Sequence, residues 1–166
     1  MRKIHVVVLV LLLAVAAQGF ALKSTPDLAI GIEGTCNTFS AIGAMLTVHI
    51  PGIPLFIGFG ADFYNPLSGQ TELTATIDVW LLHTSGRVCF FLGLGLYGAM
   101  TLDALWYSAG LRLPLGLQIW PLNNEKLEMF LEVAPAWVPL YGANWNYTVF
   151  QAQIALGFRI WLERGR

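Results

Sequence analysis

The chain has 166 residues, which fits one domain. It is 56 % apolar and 11 % charged, whereas a soluble domain carries about a quarter charged residues, so a water-soluble fold of this size would struggle to cover its surface. A formal net charge of −1 gives no basic footprint for nucleic acid, and no phosphate loop, zinc-spaced Cys/His cluster or cofactor motif is present.

Residues 1–21 read as a cleaved secretory signal peptide. Arg2 and Lys3 form a positive start, Ile4 to Ala17 an apolar run, and Gly19-Phe20-Ala21 a small-x-small cleavage site. The run is shorter than the roughly 20 residues a spanning helix needs, which favours cleavage over a retained anchor. The mature chain is then 22–166.

Beyond the signal the apolar residues alternate, the period of a strand with two unlike faces. The first strand is expected at about 27–36, with Leu28, Ile30 and Ile32 outward and Ala29, Gly31 and Glu33 inward. The second, at about 38–50, turns Ile42, Leu46 and Val48 outward and ends at Pro51-Gly52-Ile53-Pro54. The third, about 55–64, puts Ile57, Phe59 and Phe63 out and Gly58, Gly60 and Asp62 in; Asn65 to Gly69 is a loop. The fourth, about 71–83, has Leu73, Ile77, Val79 and Leu81 out against Glu72, Thr74, Thr76 and Asp78 in. The fifth, about 87–98, sets Phe90, Leu92, Leu94 and Leu96 against Gly93, Gly95 and Tyr97.

The sixth, about 104–120, carries Trp106, Ser108, Gly110 and Arg112 on its inner parity, with Pro114 marking an irregularity. The seventh, about 126–137, places Leu127, Met129, Leu131 and Val133 out and Glu128, Phe130 and Glu132 in, and a loop of about Val138 to Asn146 follows. The eighth, about 147–162, alternates Phe150, Ile154, Leu156, Phe158 and Ile160 with Gln151, Gln153, Gly157 and Arg159. Acids and arginines within the strands share the Gly/Thr/Ser face, the reverse of a soluble lipocalin-like barrel. Nor does the mature chain contain an uninterrupted apolar stretch long enough for a helical bundle. The expected fold is all-β: an eight-stranded antiparallel up-and-down transmembrane β-barrel in the bacterial outer membrane, termini periplasmic.

Aromatic side chains near the strand ends are expected to form interface girdles. Tyr64, Trp137, Trp145 and Tyr147 belong to the extracellular side, Trp120 and Trp161 to the periplasmic side. Trp106, on the inner parity, is expected to fill the core. Cys36 and Cys89 fall near opposite rims, about 20 Å or more apart at about 3.3 Å per residue, beyond the roughly 7 Å reach of a disulfide. Two free thiols are expected.

Gly157-Phe158-Arg159-Ile160-Trp161-Leu162 resembles the last-strand signal of outer-membrane barrels, although Glu163 to Arg166 follow it. The segments Gly110 to Gly116 and Phe130 to Pro135 resemble those of uncharacterised small bacterial barrel proteins. In size and topology the mature chain resembles the OmpA/OmpX/OmpW class. That resemblance implies membrane-stabilising, adhesive or small-solute roles without selecting one.

The most informative charges are Arg112, Glu128, Glu132 and Arg159, all inward on neighbouring strands. Unpaired buried ions are costly, so Arg112 is expected to pair with Glu132 and Arg159 with Glu128, ordering the lumen as a plug. Glu33, Asp62, Glu72 and Asp78 add acids, so an open lumen would prefer cations. Inward glycines either make room for Phe56, Phe91, Phe130 and Trp106 or leave a cavity for an apolar ligand. His83 and Ser85 match the spacing of a lipid-modifying outer-membrane enzyme but fall in a periplasmic turn, away from such a substrate. The expected role is non-catalytic, without metal or cofactor: a structural barrel or a narrow small-solute path. The alternative is a binding module for an apolar ligand or surface partner. Expected partners are membrane lipid and, during insertion, the barrel-assembly machinery, with the barrel itself a monomer.

Overall fold

The computed structural model of the protein describes residues 27–39, 41–64, 70–103, 106–142 and 147–162. The expected signal peptide and Trp145 lie outside these residues. The described residues form strands and turns: β1 (Leu28–Asn37), β2 (Ala41–Ile50), β3 (Leu55–Tyr64), β4 (Gln70–His83), β5 (Val88–Thr101), β6 (Trp106–Arg112), β7 (Leu115–Ile119), β8 (Leu127–Tyr141) and β9 (Tyr147–Leu162).

Each strand pairs antiparallel with its neighbours, and β9 returns to β1 from Leu28↔Leu162 to Asn37↔Gln153. That pairing closes the sheet and removes both edges. In hydrocarbon such closure is required, because no water is present to satisfy an unpaired backbone group. β6 and β7 are two pieces of one staggered strand. Both pair with β5 on one side and β8 on the other, so the ring has eight strands. The break falls at Leu113-Pro114. Proline has no N–H to give the ladder, yet its carbonyl accepts from Gly93 N at 2.7 Å, and Leu113 N donates to Pro135 O at 2.9 Å.

The two faces follow the alternation. Ile42, Leu46, Phe59, Phe150 and Leu156 are each more than half exposed on the outside, while Glu33, Asp62, Asp78, Arg112, Glu128, Glu132 and Arg159 are buried inside. A β-bulge between Trp80 and Leu82 shifts this parity at the end of β4. Leu82 is exposed there instead of the expected Leu81, which is half-buried. Past the bulge His83 reaches Gln118, Nε2 to Oε1 at 2.7 Å.

β8 runs four residues past its expected end, to Tyr141, which shortens the expected loop. Pro139 sits in the register irregularity between Val138 and Tyr141, where pairing to β9 lapses and its missing N–H is tolerated. At the end carrying Leu28 and Leu162, the turn between β2 and β3 is tight, Gly52 taking a φ of 80° that a side chain would strain.

Candidate functional site: a plugged lumen and an open mouth

Arg112 projects from β6 into the middle of the lumen. Its Nη2 pairs with Glu132 Oε1 of β8, its Nη1 donates to Gln153 Oε1 of β9 at 3.1 Å, and its Nε lies 3.3 Å from Asp78 Oδ1 of β4. That last approach is an ion pair without hydrogen-bond alignment: Asp78 Oδ1 and Arg112 Nε have no hydrogen-bond partner. Arg159 projects from β9. Its Nη1 pairs with Glu128 Oε1 at 2.6 Å and its Nε donates to Thr47 Oγ1 of β2 at 3.1 Å.

The second Glu128 oxygen accepts from Trp161 Nε1 at 2.7 Å. The Arg159 guanidinium lies 3.8 Å from the Phe130 ring centroid and 4.7 Å from that of Phe56, a cation–π arrangement with rings of β8 and β3. Below it Phe56, Trp80 and Phe91 stack at centroid separations of 4.0 and 4.3 Å. His49 packs against Phe56 at 4.7 Å and Trp161 at 5.0 Å.

The two expected ion pairs are therefore both present as contacts, and each arginine also ties in strands across the barrel. Asp78, Thr47, Gln153 and Trp161 were not expected as partners. Parity alone put Asp78 inside; which side chains meet across the lumen depends on strand stagger, which parity does not contain. The space remaining among Glu33, Asp78, Arg112, Glu132 and Arg159 is about 10 Å³, at the threshold for one water.

Two inward glycines seat rings, whereas Gly43 and Gly95 make room for the carboxylates of Asp62 and Asp78. A Cβ on Gly157 would come within 2.6 Å of Phe130 Cζ, and one on Gly116 within 2.6 Å of Phe91 Cζ. Cys36 is exposed and Cys89 buried, both as free thiols.

Several interface aromatics are placed differently. Trp120 and Trp161 are 5 % and 3 % exposed and pack inside with Ala29 and Cys89; they share the parity of Gln118 and Arg159, which outweighs their position near a strand end. Tyr64 shares the parity of Asp62 and donates its hydroxyl to Glu72 Oε2 at the barrel mouth. Trp137 does face outward, 40 % exposed. Tyr147 opens β9. Trp106 does not fill the core: it is 42 % exposed, standing at the mouth in an edge contact with Tyr141 at 5.7 Å. It opens β6 at the rim, level with Thr101, where the lumen gives way to solvent.

That mouth, at the end opposite Leu28 and Leu162, contrasts with the plug. Asp62 accepts hydroxyl hydrogen bonds from Thr35 and Thr74, each at 2.8 Å. Above it a cup of about 320 Å³ is lined by Tyr64, Gln70, Glu72, Thr101, Trp106 and Tyr141. Among the described residues, no group of three or more His, Cys, Asp or Glu is placed to hold a metal ion.

No known sequence family matches the chain, and no curated protein matches it. Solved structures do. Neisserial surface protein A (NspA) superposes with a TM-score of 0.55 at 12 % identity, covering 81 % of this chain and 95 % of that one. The N-terminal β-barrel domain of Pseudomonas aeruginosa OprF gives 0.50 at 10 % identity, covering 83 % and 100 %. A chain from the de novo design of transmembrane β-barrels gives 0.48 at 15 % identity, covering 84 % and 98 %. The chain has the fold of the small outer-membrane β-barrels. The expected architecture is therefore correct, including the closed ring and the apolar exterior.

Proposed function

We propose that this is a non-catalytic, monomeric barrel of the bacterial outer membrane with a plugged lumen, serving as a structural membrane element and not as an open pore. The central space of about 10 Å³ carries this reading. It lies between two arginines already held by carboxylates on other strands. An eight-stranded ring is just wide enough for its own side chains to fill, and here the rings and ion pairs do so.

Lipid covers the outer apolar belt, and delivery falls to the barrel-assembly machinery. With both strand termini on the periplasmic side, the mouth at Tyr64, Trp106 and Tyr141 opens outward. His83 and Ser85 then face the periplasm, and His83 is engaged by Gln118 and by the Trp80 ring at 5.5 Å. That placement favours a structural role for His83 over action on surface lipid.

Single-channel conductance of the refolded chain in a planar bilayer tests the plug, with heat-modifiable gel mobility as the folding control. A folded and silent barrel is expected. Discrete cation-selective steps would overturn it; the selectivity is expected to be for cations because Glu33, Asp78, Glu128 and Glu132 outnumber Arg112 and Arg159 in the lumen.

A further inference from the structure

The cup at the outward mouth has three aromatic walls and one acidic wall. Tyr64, Trp106 and Tyr141 supply the rings, and Glu72, 4 % exposed, supplies the carboxylate. Trp106 meets Tyr141 edge-on, with the planes at 86°, so the two rings form a corner and not a closed stack. Its volume of about 320 Å³ is at the small end of ligand pockets.

Charge supplies a second, independent observation. The connections at this end, residues 38–40, 65–69, 102–105 and 142–146, contain no lysine or arginine in their sequence and one acid, Asp103. Of the arginines and lysines among the described residues, Arg112 and Arg159 are held in the plug. Arg87 and Lys126 lie at the other end, their carbonyls accepting from Trp120 and Trp161 backbone N–H groups. Asp62 and Glu72 are met by hydroxyls and not by cations. Among the described residues, the mouth is thus acidic without a basic side chain to balance it.

We propose that this cup binds an organic cation of the quaternary-ammonium class, its charge facing Glu72 and its alkyl groups against Tyr64, Trp106 and Tyr141. Ring faces carry negative potential and attract a cation that sheds its water easily. A hard cation such as Ca²⁺ or Mg²⁺ takes six or more oxygen ligands at short range, whereas half of this lining is aromatic and a single carboxylate lines it. A neutral apolar ligand would close the cup over the already buried Glu72 carboxylate without bringing a counter-charge. The cup stands clear of the plug, so occupancy does not depend on whether the lumen conducts. The trimethylammonium group could belong to a free solute such as choline or to a phosphocholine headgroup.

The test is calorimetric titration of choline chloride into the full refolded chain in octyl glucoside, at constant ionic strength and without phosphocholine detergent. Saturable one-to-one binding is expected. Trp106→Ala removes one ring and weakens it roughly 2- to 30-fold. Glu72→Gln keeps an acceptor for the Tyr64 hydroxyl while deleting the charge, and weakens it about 10-fold or more. Trp137→Ala, on the lipid face, leaves binding unchanged.

Glycerophosphocholine separates the sources. Tighter binding than choline points to the headgroup; weaker binding points to a free ammonium solute, the acidic mouth repelling the phosphate. No saturable binding to the folded wild type, or equal binding by wild type and Trp106→Ala, overturns the proposal. Should Glu72→Gln fail to fold, Trp106→Ala and Trp106→Phe carry the test at a half-exposed rim position, with the Phe variant intermediate.

Discussion

The middle of the barrel and its outward mouth both bury carboxylates, but they hold them by different means. In the middle, Glu128 and Glu132 each face an arginine, and the guanidinium groups are themselves held by side chains of other strands. At the mouth, Asp62 and Glu72 face the hydroxyls of Thr35, Thr74 and Tyr64. An arginine neutralises a carboxylate and fills the space around it. A hydroxyl satisfies an oxygen but leaves the negative charge in place. The first arrangement makes a plug and the second leaves a site able to receive a cation.

Removing an arginine breaks the comparison hardest. Arg159→Ala leaves Glu128 buried without its cation and takes the guanidinium from between the Phe130 and Phe56 rings. The expected loss is about 3–5 kcal/mol, read by urea unfolding in micelles. Arg159→Lys should recover only part of it, since an ammonium lacks the planar fork and stacking surface. A loss below about 1 kcal/mol for the alanine variant, the scale of an exposed ion pair, would mean that the middle is no better ordered than the mouth.

Two smaller changes sharpen the picture within the plug. Trp161→Phe keeps an aromatic side chain, though a smaller one, but orphans one Glu128 oxygen, at a cost of roughly 1–3 kcal/mol. Glu132→Ala should lie in the same range of roughly 1–3 kcal/mol, because Arg112 retains Asp78 and Gln153. It should also stay silent in a planar bilayer. Lowered stability without conductance separates a structural plug from a gate.

At the mouth, Asp62→Asn deletes a charge while preserving an acceptor for one or both threonine hydroxyls. The expected loss is about 1 kcal/mol, the difference between a charged and a neutral hydrogen bond. A loss as large as that of Arg159→Ala would show that the mouth carries as much stability as the plug, and the contrast between them would fail.

The strands and their inner faces were legible because a two-residue period survives in a sheet whose two sides meet lipid and lumen. Arg159, Glu128 and Glu132 could be placed inside by parity alone, and pairing by adjacent strands followed. Two features lay beyond that rule. The bulge after Trp80 shifts parity without any glycine or proline to announce it. The reach of Arg112 to Asp78 depends on stagger around the ring. For Trp161 and Trp120 parity sufficed: distance along the strand points to the membrane interface, but parity places them inside with Arg159 and Gln118. For an aromatic near a strand end, face decides before height does.

That ordering yields the smallest prediction. Trp137 and Trp161 are both tryptophans near a barrel end, one outward and one inward. Trp137→Phe loses an indole N–H on the lipid face while keeping most of its apolar area. Its unfolding free energy should therefore move by no more than about 0.5 kcal/mol. Measured beside Trp161→Phe in the same micelles, the pair isolates the face a residue occupies from its type. Equal losses would mean that the Glu128 contact contributes little, and that the order of the lumen rests on ring packing and not on its ion pairs.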